Sequence, residues 1–318
     1  MFKKRQKKHE YVENRVKASY SENKRNLKFS IKFNKRFAKK SDLHSLGKLR
    51  EELHKFKLPG KEPYIITAGD SIVGSRESQQ DSFFVTKSSA ISPFRLTRSF
   101  AVVCDGMGGL EAGDRASLTA VSMMKLAVDK LPTKKVDIPR FFSEMLDYID
   151  YEINHWNDLK TEKGSGTTLV SVLIENKRLY WASVGDSSIF MFQDNELKKI
   201  TSEHNYKMYL DRLVESGKIT QRQADSDPQQ KALLSYLGMG GVAYRDINSK
   251  PYVMKNGDLL LLCTDGVTDV LSEDEIAAIL RESLDDVYEC CKKITAAVAQ
   301  KNSSVQDNAT AAILQYVE

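Results

Sequence analysis

From residue 63 onward the chain is built of short apolar runs broken by polar turns. Runs at 64–75, 82–86, 99–104, 168–174, 178–184, 188–193, 252–254, 259–264 and 309–316 have the length and the β-branched or aromatic content of strands. Stretches at 114–130, 138–159, 203–216, 273–282 and 284–300 instead repeat their apolar positions at helical spacing. Strands that follow one another directly, with helices in pairs, predict an antiparallel sheet with helices packed outside it. Strict β-α alternation is absent, so a doubly wound nucleotide-binding sheet is not expected. Before residue 63 the texture differs. Leu27, Phe29, Ile31 and Phe33 alternate with Lys28, Ser30, Lys32 and Asn34, which suits a basic-faced strand or a segment that orders on a partner. Leu46, Leu49, Leu53 and Phe56 recur at roughly helical spacing, weakened by Gly47.

Charge sharpens that boundary. Residues 1–58 carry 19 Lys and Arg against 6 Asp and Glu, whereas the rest of the chain carries 29 against 37. The expectation is a basic N-terminal extension over 1–58 and a globular domain over 59–318, divided near Pro59-Gly60. The extension reads either as a solvated tail or as a tether to an anionic membrane or an acidic partner; nucleic acid is the less expected partner. With 41% hydrophobic residues the chain can bury a substantial core. No apolar stretch approaches the ~18 residues of a membrane span, and the N-terminus lacks the apolar centre of a signal peptide. Cys104, Cys263, Cys290 and Cys291 show neither disulfide nor zinc spacing. A cytoplasmic location is expected, with the membrane periphery as the place a basic tether would reach.

The chemistry is concentrated in aspartates at strand ends. Asp105 follows "FAVVC", Asp265 follows "LLLLCT", Asp81 precedes "SFFV" and Asp307 precedes "NATAAIL". Two of them lead into glycine, at Asp105-Gly106 and Asp265-Gly266. One such pair is ordinary turn chemistry. Several carboxylates gathered at one sheet edge would repel, and stay ionised together only around a cation. An all-oxygen donor set selects a hard ion such as Mg²⁺ or Mn²⁺.

The segments "RESQQDSFFV", "VVCDGMGG", "GSGTTLVSVLI", "LYWASVGDSSIFMF", "LLLLCTDGVTDVL" and "QDNATAAIL" occur in this order. Together they resemble the bacterial type of the PPM (PP2C-like) metal-dependent Ser/Thr protein phosphatases. The resemblance covers about 63–318. It implies an α+β fold, a four-layer α-β-β-α sandwich of two mostly antiparallel sheets flanked by helix pairs. It also implies hydrolysis of phosphoserine and phosphothreonine in proteins by a metal-activated water, opposing Ser/Thr kinases. By position, Asp105 would bridge two ions, Mg²⁺ or Mn²⁺, and the Gly106 carbonyl would bind the second. Asp265 and Asp307 would complete the first ion's ligands, and Asp81 would stand near the second. Asp269 matches an acidic position linked to a third ion. Arg76 matches the arginine that grips substrate phosphate, and 201–241 matches a variable flap beside the site.

Some positions depart from the family pattern. Gln79 stands where an asparagine is usual, Gln80 where some relatives carry glutamate, Met107 where eukaryotic relatives have histidine, and Lys163 where some relatives place an aspartate near the third ion. A catalytically weakened PPM-like binding module and a phosphatase for small phosphoesters are therefore the alternative readings. A cysteine-based mechanism is not supported. The residues six positions after the four cysteines are Leu110, Asp269, Ala296 and Ala297, and none is the arginine such chemistry needs. His204 is expected at a helix start, with a leaving-group acid as its alternative role. "GSGTT" and "VGDSS" are expected to be tight turns between core strands.

Overall fold

The structure is a computed structural model, which describes residues 63–92, 94–108, 112–160, 165–301 and 305–318. These lie in the second of two units, Leu58–Glu318. The patterns at 27–33 and 46–56 fall outside the described residues.

In chain order the elements are β1 (Tyr64–Ile72), β2 (Ser82–Val85), β3 (Ser89–Ala90), β4 (Arg98–Cys104), β5 (Gly106–Met107), α1 (Ala112–Asp129), α2 (Ile138–Lys160) and β6 (Gly166–Thr167). There follow β7 (Leu169–Glu175), β8 (Arg178–Val184), β9 (Ser188–Gln193), β10 (Glu196–Lys199), α3 (Lys207–Glu215), α4 (Gln221–Asp225), β11 (Asp246–Ile247) and β12 (Tyr252–Val253). The chain closes with β13 (Leu259–Cys263), α5 (Asp265–Thr268), α6 (Glu273–Ser283), α7 (Val287–Gln300) and β14 (Ala309–Val317).

Two antiparallel sheets result. One runs β10-β9-β13-β14-β1-β3; the other runs β11-β8-β7-β4-β2, with β12 also on β8. Strand alternation explains the layering. In β13, Leu260 and Leu262 turn toward the second sheet and join Val103, Val170, Val172 and Leu314. Leu259, Leu261 and Cys263 turn the other way, onto Ile276, Leu280, Ile294 and Val298 of α6 and α7. A strand apolar on both faces must be covered on both faces. On the far side of the second sheet, α1 packs on β2 and β4, and α2 on β8. The α-β-β-α order expected from the resemblance is the order found.

Element edges differ where tertiary bonds compete. The helix expected over 203–216 begins only at Lys207, because His204 N donates to the Gly185 carbonyl (2.9 Å) and Asn205 bridges Leu233. The helix expected from 284 begins at Val287, where the Asp286 side chain caps the Tyr288 and Glu289 amides. Among the described residues no helix is long and apolar enough to cross a membrane.

Candidate active site

Three strands deliver carboxylates to the same end of the sandwich. Asp105 leaves the buried strand β4, Asp265 follows the buried strand β13 at the start of α5, and Asp81 immediately precedes the half-buried β2. The backbone at Asp105 is held on both sides. Its amide donates to Thr168 Oγ1 (3.0 Å), and its carbonyl accepts from Thr168 N (2.9 Å) and Thr167 Oγ1 (2.7 Å). The adjoining glycine is sterically required: a Cβ on Gly106 would stand 2.1 Å from the Gly113 carbonyl oxygen at the start of α1.

Asp81 is 7% exposed. Its Oδ2 accepts from Thr264 (2.9 Å) and Thr310 (2.7 Å), while its Oδ1 is buried with no hydrogen-bond partner. Gln79 completes this network. Its amide oxygen accepts from the Asp81 amide (3.0 Å) and its amide nitrogen donates to Ser71 Oγ (2.8 Å), itself bonded to Thr310. The extra methylene of Gln79 is thus accommodated and its side chain is spent on positioning Asp81. Gln80 carries the contact to β5: its carbonyl accepts from Gly106 N (3.1 Å) and from Ser117 Oγ (2.5 Å). Its side-chain amide reaches only the Gly108 carbonyl, at 3.4 Å.

The electrostatics show how closely the acids are gathered. Burial, then the charges of Asp81 and Asp265, push the Asp105 carboxyl well above the usual range. Asp265 is thus close enough to Asp105 for each carboxyl to bear on the protonation of the other. Burial raises Asp81 to about 7, with Asp265 and Asp307 adding to the effect and the two threonines opposing it. Asp265 is raised by burial and then by Asp269, and its Oδ1 is buried without a partner.

A further acid joins them. Asp186, in the "VGDSS" turn after β8, is raised to about 7 by burial and then by the charge of Asp265, and it in turn bears on Asp105. The tight turn expected at "VGDSS" is found between β8 and β9, and it carries a buried acid. Asp186 also follows an apolar strand, but its glycine precedes it, so the Asp-Gly pattern of Asp105 and Asp265 is missing. His204 is not at a helix start. It is 2% exposed, its Nδ1 accepts from Gly185 N (3.1 Å), and its Nε2 faces Asp246 at 3.7 Å. It pins the turn that carries Asp186 and is not free to donate to a leaving group.

The other sequence-predicted residues lie at the rim. Asp307 receives Arg76 Nη2 at 2.6 Å; both side chains are substantially exposed. Asn308 ties this corner to the Arg76 loop by donating to the Val73 and Ser78 carbonyls and accepting from Gln80 N (2.7 Å). Asp269 is paired with Lys231 Nζ at 2.5 Å. Against the cost of its own burial, Asp269, Asp265 and Asp186 hold the Lys231 ammonium charged. Among the described residues, no three His, Cys, Asp or Glu side chains already stand arranged to close on one ion. At the rim, Arg76 stands on Asp307 and Lys231 on Asp269.

Known proteins share the fold and much of the sequence pattern. A family model for protein phosphatase 2C matches residues 67–209. The serine/threonine phosphatase stp of Listeria monocytogenes is 32% identical over 184 residues, covering 57% of this chain and 71% of the relative. Protein phosphatase PhpP of Streptococcus pneumoniae is 29% identical over 226 residues, covering 70% of this chain and 88% of the relative. The crystal structure of the Mycobacterium tuberculosis serine/threonine phosphatase PstP/Ppp superposes with a TM-score of 0.66 at 25% identity, over 80% of this chain and all of that one. With its strand-end aspartates, its two-sheet sandwich and these relatives in agreement, the chain belongs to the protein phosphatase 2C family.

Proposed function

We propose that this protein hydrolyses phosphoserine and phosphothreonine in protein substrates with the help of two Mg²⁺ or Mn²⁺ ions. The observation that carries the reading is the buried acid cluster of Asp81, Asp105, Asp186 and Asp265. Two of its oxygens, Asp81 Oδ1 and Asp265 Oδ1, are buried and face no hydrogen-bond donor. Buried oxygens without donors are expensive, and a divalent cation is the partner that satisfies them. The donor set is oxygen only, which fits a hard ion. Asp105 and the Gly106 carbonyl, with Asp265 and Asp307, are the residues that would hold the pair; Asp81 and Asp186 flank them. When bound, such ions lower the pKa of a water toward neutrality and offset the charge of a phosphoryl group.

The protein's own contributions follow from its geometry. The bonds from Thr167 and Thr168 fix Asp105 before any ligand arrives, so little reorganisation is left to be done. Arg76 lies at the rim with its planar fork exposed, able to hold two phosphoryl oxygens at once. The residues fit a third ion less well, because the Asp269 carboxylate is already met by the Lys231 ammonium. The segment 201–241 reaches the cluster through that lysine, which supports reading it as the flap beside the site. Residues 1–58 are read as an electrostatic tether to an anionic membrane, on the strength of their charge; equal recovery of the full chain and a 59–318 truncation with anionic liposomes would remove that reading. A phosphopeptide assay with and without added manganese tests the main proposal. Turnover that needs the metal is expected, and equal turnover in chelator would contradict it.

A further inference from the structure

Asp150 lies in the middle of α2, 4% exposed, and among the described residues it has no ion-pair partner. Among the described residues, three successive backbone amides meet its carboxylate. Oδ1 accepts from the amides of Gly238 (2.8 Å), Met239 (3.1 Å) and Gly240 (3.3 Å). Successive amides converging on one oxygen form an anion nest. The nest depends on positive φ at Gly238 (106°) and Gly240 (84°). A Cβ on Gly238 would also stand 2.6 Å from Ile153 Cγ2 of the same helix, so the turn is pressed against α2.

The turn is the return leg of the flap, and it leads directly to the acid cluster. Leu237, the residue before the nest, exchanges both backbone hydrogen bonds with Thr167: Leu237 N donates to Thr167 O (2.9 Å) and Thr167 N to Leu237 O (3.0 Å). Thr167 Oγ1 in turn donates to the Asp105 carbonyl at 2.7 Å. An unbroken series of short bonds therefore runs from α2 through the flap's end to the backbone of the central aspartate. We propose that Asp150 is a positioning residue for Asp105: its carboxylate gathers the 238–240 amides, which fixes Leu237 on Thr167 and so fixes the aspartate that holds the ions. Asp150 touches neither substrate nor ion. The inference rests on the two-ion reading of the site, and it makes the flap's end a structural wall of that site.

The test is manganese binding by calorimetry on the full-length protein, with amide exchange at 165–168 and 236–241 measured in parallel. Asp150→Ala is expected to weaken manganese binding by about tenfold, the usual cost of losing a partner behind a metal ligand. It is also expected to speed exchange at Thr167 and Leu237 while the strands β13 and β14 keep their protection. Asp150→Asn keeps an acceptor oxygen without the charge, and should fall between wild type and alanine on both readouts. It carries the same test if the alanine variant does not fold. Wild-type manganese affinity together with wild-type exchange at Thr167 in either variant would overturn the proposal. Failure of the wild-type protein itself to bind manganese would contradict the two-ion reading instead, and exchange at Thr167 would still test the link from Asp150.

Discussion

Each acid in the cluster is held by a different local device, and each makes a distinct prediction. Asp105 and Asp265 are raised above the usual carboxylate range, Asp81 and Asp186 are raised to about 7, and burial is the leading cause throughout. An acid whose folded pKa is raised adds stability below its unfolded value, near 4, and that contribution is lost as pH rises through the folded value. The metal-free protein should therefore melt at a lower temperature at pH 8 than at pH 5.5, and manganese should restore stability mainly at the higher pH. A melting temperature that rises with pH in chelator would contradict this balance. Asp105→Asn removes one charge from the place proposed for the two ions, and should lower hydrolysis of p-nitrophenyl phosphate by ~10²–10³-fold, the scale of losing a principal electrostatic group. Arg76→Ala should chiefly raise KM for a phosphopeptide; unchanged KM would remove it from the site. Asp105 and Asp265 were legible in the sequence because an apolar strand runs straight into Asp-Gly. Asp186 was not, since its glycine precedes it and the turn has an ordinary explanation; only the tertiary fold shows that it faces Asp265.

The strands and helices that place these residues follow from periodicity, and the exceptions have physical causes. The pairing of β5 with β6 brings Gly106 opposite Thr167, and two-residue strands of this kind leave no periodic trace in a sequence. Their close fit against α1 predicts that Gly106→Ala is disruptive. With a backbone oxygen 2.1 Å from the new Cβ, the variant must shift the chain, which costs about 1–3 kcal/mol of stability and displaces the carbonyl proposed as a ligand of the second ion. Chemical denaturation against wild type measures the first effect. The segment 201–241 was legible as a polar helical insertion but not in its attachments. His204 pins the Asp186 turn, Leu237 pins Thr167, and Lys231 pairs with Asp269. These are long-range bonds between residues with no pattern linking them in sequence. Lys231→Ala should leave Asp269 free to take a metal, so native mass spectrometry should show a third manganese in the variant that the wild type does not retain. Identical stoichiometry in both would mean that the lysine does not stand in for an ion.

The sandwich as a unit explains why the site can exist. The first sheet supplies Asp265 and Asp307, the second supplies Asp81, Asp105 and Asp186, and the apolar layer between them fixes the distance from one set to the other. That layer was readable from the alternating apolar runs, and the order of layers from their resemblance to a known family. The register that carries remote aspartates to one end was not, because pairing such as Ser82 with Cys104 and Cys263 with Ala311 depends on which strands become neighbours. If this convergence is what the fold provides, a crystal soaked in manganese reports on it without any assay. Anomalous difference density should show two peaks, both adjacent to the Asp105 carboxylate, one also near Asp265 and Asp307 and the other near the Gly106 carbonyl. Density elsewhere, with nothing between Asp105 and Asp265, would contradict the account.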